Sequence, residues 1–89
     1  MNEKELGIVL AVIKDFADHR IPRLLQLEAN ISEGAKLSEP DMVYLEQCFE
    51  ISKGSPEFAE KHSEYKELVY KVANLYHRIT DLALKNEQG

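Results

Sequence analysis

Between Tyr65 and Leu82, apolar residues recur at the spacing of a helix that lies lengthwise against other helices. Tyr65, Leu68, Val72, Leu75, Ile79 and Leu82 follow each other at alternating intervals of three and four, and Val69, Tyr76 and Ala83 widen the stripe on one side. A two-stranded coiled coil would carry charge where Val69, Tyr76 and Ala83 stand. The wide stripe predicts the core face of a globular helical bundle instead.

The N-terminal third must supply part of the other wall. A helix starting near Asn2 or Glu3 has Glu3 and Glu5 at the positive end of its dipole and Leu6, Val9, Leu10, Ile13, Phe16 and Ala17 on one broad face, with Ile8 and Val12 off that face. A helix apolar over most of its circumference needs cover on several sides, and a terminal helix in an 89-residue chain has few neighbours. The Leu6–Ile13 segment is therefore expected to pack against a second copy of the chain or another protein, unless the middle helix folds across it within one monomer. Pro22 interrupts the pattern, because proline removes a backbone bond and its ring presses on the carbonyl of Asp18. The apolar phase carries through: counting about 100° per residue from Leu6, the residues Ile13, Ala17, Leu24 and Ile31 fall within about 20° of one line. Neither Arg20 nor Ile21 is a good N-cap, so the sequence predicts one helix kinked at Pro22 and ending at Gly34.

The next helix announces itself by its chemistry. Ser38 is placed to cap it, Asp41 takes the place of the acid in a capping box, Leu37 and Met42 form a hydrophobic staple, and Pro40 falls in the first turn. This helix should run to about Lys53 and close at Gly54. It carries two apolar faces, Met42, Leu45 and Phe49 on one side and Tyr44, Cys48 and Ile51 on the other, so it is either sandwiched or offers its second face to a partner. Ser55, Pro56 and Glu57 open the last helix in good order, but Ser63 offers a second start that would leave Phe58–His62 as a separate turn or short helix. Fraying is expected near Asn86, with Asn86–Gly89 a loose tail.

These elements define an all-α chain forming one domain over residues 1–89, a small antiparallel bundle of three main helices, or four if the kink at Pro22 divides the first. A first helix unbroken from Glu3 to Glu33 would be about 46 Å long, more than the width of a compact domain this size. Either the helix kinks or the molecule is elongated, and an elongated bundle covers its core poorly unless it self-associates, most simply as a two-fold dimer.

Composition removes several function classes. A net charge of −5 opposes a general affinity for phosphate backbones, so no nucleic-acid partner is expected. The Leu6–Ile13 run is too short to span a bilayer, which takes about twenty apolar residues, and no cleavage signal follows it, so neither a membrane nor a signal peptide is expected. The lone Cys48 permits no internal disulfide and fits a cytoplasmic location.

Residues with reactive chemistry are present without a pattern that commits them to a reaction. Asp15 with His19, and His77 with Asp81, lie one helical turn apart, but neither pair belongs to a metal-binding motif. Cys48 shares its face with Tyr44 and Ile51, an apolar setting that keeps a thiol inert. The glycines stand singly at positions 7, 34, 54 and 89, so no phosphate loop exists. No catalytic residue, metal or cofactor is predicted. Lys14, His19, Arg20 and Arg23 flank Pro22 and form the densest basic group, a candidate contact for an anion or an acidic partner. On the back of the last helix Tyr70, His77 and Leu84 recur every seven residues beside Ala73 and Thr80, a candidate contact stripe. The candidate interface therefore comprises Ile8, Val12, Tyr44, Cys48, Ile51, Tyr70, His77 and Leu84. The expectation is a non-enzymatic interaction or regulatory module that binds itself or another protein; the alternative is a ligand pocket between helices that draws on Tyr44, Tyr76, His77 or Arg20.

Overall fold

A computed structural model describes residues 2–54 and 56–88. All regular structure among them is helical: α1 (Glu3–Asp15), a π-helical turn (Phe16–Arg20), α2 (Ile21–Ser32), α3 (Glu39–Lys53), α4 (Pro56–Lys61) and α5 (Ser63–Gln88). The protein is a small helical bundle, elongated to 50 × 20 × 18 Å.

Helix α1 starts where its end groups are satisfied, with the Asn2 side chain accepting a hydrogen bond from the Glu5 amide at 2.8 Å. The backbone stays in the right-handed helical region through Asp15, Phe16, Arg20 and Ile21, so α1, the π turn and α2 form one continuous rod. The irregularity falls in the five residues before Pro22. Pro22 has no N–H for the Asp18 carbonyl, and the Ile21 amide reaches back five residues to the carbonyl of Phe16.

This wider turn changes which residues face the core. It inserts about one residue, so the apolar line of α1 lags that of α2 by up to about 100°. Val9 and Phe16 are fully buried and continue into Ile21, Leu24 and Ile31, while Leu6 and Ala17, which the uniform count aligns with Leu24, are exposed. The count holds for α2 and for Ile13, which packs on the core, and fails at Leu6 and Ala17 because it assumed 3.6 residues per turn throughout.

Helix α2 ends in a Schellman motif around Gly34, whose φ of 105° suits glycine: the Gly34 amide donates to Ile31 and the Ala35 amide to Asn30. Ser38 caps α3, its hydroxyl accepting from the Asp41 amide at 3.2 Å, and Gly54 closes that helix with a φ of 47°. The first capping option for the last helix, Ser55, lies outside the described residues. The second start is the one used by the long helix: α4 is a separate short helix, and α5 begins at Ser63.

The direction of each helix follows from its side-chain partners. Glu28 pairs with Arg78, and the Asn86 amide donates to the carbonyls of Ile31 and Ala35, both at 2.8 Å, so α2 and α5 run parallel. Phe49 stacks on Tyr76 at 4.6 Å, while Met42 shares a groove with Thr80 and Ala83, so α3 runs antiparallel to both. The core between them holds Phe16, Leu24, Ile31, Leu45, Cys48, Val72, Leu75 and Ile79. Asn86 is no loose end: α5 continues to Gln88, because this side chain ties its last turns to the α2–α3 corner.

Candidate functional site

Among the described residues eight large apolar side chains are exposed; Leu25 of α2 stands alone, and the other seven fall into three areas. The first is α1, where Leu6, Ile8 and Leu10 are 38%, 46% and 48% exposed. The cause is topological. The principal neighbour of α1 is α5, whereas the core face of α2 is joined by both α3 and α5. Ile8 is therefore bare, as its position off the core face predicts. Val12 is not: it is half-buried against the main core, because the π turn swings the Val9–Phe16 side inward and Val12 with it.

The second area is the back of α5. Tyr70 and Leu84 are the most exposed of the eight, at 59% and 55%, and His77 between them is also exposed. Each large residue borders a groove open to solvent. One, of about 740 Å³, is lined by Ala59, Lys66, Val69 and Tyr70; the other, of about 410 Å³, by Leu37, Met42, Ala83 and Leu84.

Helix α3 is the third area, and it splits the predicted second face. Ile51 is exposed with Val43, beside Glu46 and Glu50. Cys48 is completely buried and Tyr44 is half-buried against the core, so neither forms a free interface. The reason is that α3 is sandwiched along that line. Arg20 from the π turn donates to the Cys48 sulfur at 3.6 Å, and the Arg23 guanidinium lies 4.0 Å from the centre of the Tyr44 ring.

The same contacts dissolve the predicted basic group. Lys14 pairs with Asp18 at 3.1 Å, Arg20 with Asp15 at 2.6 Å, and Arg23 covers Tyr44; His19 alone of the four has no such engagement among the described residues. The hydrogen bond to Asp15, and after it the one to Cys48, holds the Arg20 guanidinium above its ordinary pKa. Burial pushes the Tyr44 phenol up, with Cys48 adding to the shift and Arg20 and Arg23 opposing it. Sequence spacing brings Lys14, His19, Arg20 and Arg23 to one region, but it does not reveal that two of them are matched by acids four and five residues away.

Among the described residues no three His, Cys, Asp or Glu side chains gather as a metal site, and no helix is long and apolar enough to cross a membrane. The alternative ligand contacts are divided: Arg20 and Tyr44 meet around Cys48, whereas Tyr76 packs on Phe49 and His77. Sequence reasoning placed Leu6 and Leu10 on the core face of α1, although it expected the Leu6–Ile13 segment as a whole to need outside cover; both are exposed. A proline preceded by an uncapped turn was the available signal for a π insertion, but its angular consequence needed the backbone. No family model, curated protein or solved structure matches the chain.

Proposed function

We propose that the chain is a small protein-interaction or regulatory module, homodimeric, with no chemistry of its own, working through apolar helix faces in the cytoplasm. The observation that supports this is α1, where Leu6 and Leu10, one turn apart, are exposed on one side of the helix and Ile8 is exposed on the opposite side. Scattered exposed apolar residues are ordinary, but a group of this kind marks a contact surface. The rival ligand-binding reading has weaker support, since its polar contacts face different parts of the molecule and its grooves are open. Sedimentation velocity over a hundredfold concentration range tests the proposal. The expected result is a monomer–dimer equilibrium that the triple variant Leu6→Ser, Ile8→Ser, Leu10→Ser shifts to monomer with its helicity retained. A wild-type chain that stays monomeric throughout would count against it.

A further inference from the structure

We infer that the groove between the start of α3 and the end of α5 is a docking site for a short amphipathic helix of another protein, apolar on the side it lays down and carrying Lys or Arg beside that face. This goes beyond the homodimer reading and does not depend on it, since the groove lies at the α2 end of the bundle, away from α1.

The floor of the groove sets the shape of the occupant. It holds about 410 Å³ and is apolar, with Leu37 and Met42 on the α3 side and Ala83 and Leu84 on α5. Leu84 is 55% exposed and the groove is open, so it covers an occupant on one side only. That suits the ridge of a helix, which fills the furrow between two others, better than a small molecule, whose pocket encloses most of its surface.

The polar side chains of the lining set the charge. Ser38 accepts the Asp41 amide at 3.2 Å and Thr80 donates to the Tyr76 carbonyl at 2.9 Å, so both hydroxyls already serve their own helices. What remains is one acid on each wall, Glu39 of α3 and Glu87 of α5, with no basic residue in the lining. Neither carboxylate has an ion-pair partner among the described residues. Glu39 is accounted for by its own helix, because the first turn of α3 favours an acid. Glu87 is not: it stands in the last turn of α5, where the helix dipole disfavours a carboxylate. A cation laid in the groove meets both acids and offsets that unfavourable placement.

The other large grooves lack this match. Lys61 and Lys66 accompany Glu60 in the groove beside Tyr70, and Lys71 accompanies Glu64 and Glu67 in an open groove between Ile13 and Leu68. The hollow along Val43 and Ile51 has α3 alone for a wall, and its Glu50 is paired with Lys53. The walls of the α3–α5 groove are also fixed in advance, by the Ser38 cap and by Asn86, whose amide holds α5 to the carbonyls of Ile31 and Ala35. A preformed groove loses less binding energy to ordering.

The test titrates the full chain into two labelled synthetic helical peptides with the same leucine stripe, one flanked by lysines and the other by glutamates. The lysine peptide is expected to bind and the glutamate peptide is not. Glu39→Gln with Glu87→Gln, and separately Leu84→Ala, should each weaken the lysine peptide about tenfold, whereas Glu64→Gln with Glu67→Gln, which removes the same charge from the start of α5, should weaken it less than about twofold. Amide NMR shifts on binding should be confined to residues 37–42 and 80–87. Equal losses in the two double variants would mean that the peptide reads only the net charge of −5, and would overturn the site. Equal binding of both peptides, no binding, or shifts centred elsewhere would overturn it too. Each of these results leaves the homodimer reading to be decided by sedimentation of the chain alone.

Discussion

The two ends of this molecule are built from similarly apolar helices and finished differently. At the α2 end, three helices converge: Leu24, Ile31, Leu45 and Ile79 are buried together, a Schellman turn closes α2, Glu28 pairs with Arg78, and Asn86 ties α5 to the corner. At the α1 end α3 has stopped, and Val9 and Tyr65 are buried while Leu6, Ile8 and Leu10 are bare. The lesson is that a helix's apolar width is met by the number of neighbours its topology supplies, and where that number falls short the remainder becomes surface available to another chain.

The sharpest way to break this comparison is one truncation at each end. Leu24→Ala, at a fully buried position, should cost about 2–5 kcal/mol in urea unfolding, whereas Leu10→Ala in the monomer should cost below about 1 kcal/mol. Equal losses would mean that α1 is covered after all.

The α1 end has its own tight spot in Gly54. A Cβ there would sit 2.2 Å from the buried Tyr65 hydroxyl, at a φ of 47° that L residues rarely adopt. Gly54→Ala should therefore lose about 2–3 kcal/mol, and adding Tyr65→Phe should restore part of it, because the nearest ring carbon is still only 3.2 Å away. No recovery in the double variant would place the whole cost in the backbone.

At the closed end, Asn86→Ala removes two hydrogen bonds to carbonyls and should cost about 1–2 kcal/mol, with faster amide exchange around Ile31–Ala35. A variant that exchanges like the wild type would make the tie incidental.

The smallest effect is one of pH. Burial raises the phenol pKa of both Tyr44 and Tyr65 in the folded chain, so the fold favours their neutral forms. That stabilisation is complete below the ordinary tyrosine pKa of about 10 and is lost as pH rises through the higher folded values. Unfolding free energy should fall as pH rises above the ordinary tyrosine pKa of about 10, and less steeply in Tyr65→Phe.

How legible all this was in the sequence depended on whether local chemistry or backbone registry decided it. The Tyr65–Leu82 stripe, the Ser38 cap and the Gly34 stop are signals carried by the residues themselves, and each is found where the spacing put it. Asn86 escaped notice because its partners, Ile31 and Ala35, are more than fifty positions away. Among the candidate contacts, Ile8, Ile51, Tyr70, His77 and Leu84 are exposed; Val12, Tyr44 and Cys48 are not, since a π turn rotated α1 and the Arg20–Cys48 contact closed the α3 face. Leu6 and Leu10 were hidden within the predicted core face by the same rotation.

Sedimentation equilibrium of the unmodified chain beside its Leu10→Glu variant is the most direct test of the central claim. The account predicts that the wild type approaches twice the chain mass of 10.2 kDa at high concentration while the variant stays at the single-chain mass with unchanged helicity. Two identical mass profiles, whether both monomeric or both dimeric, would contradict it.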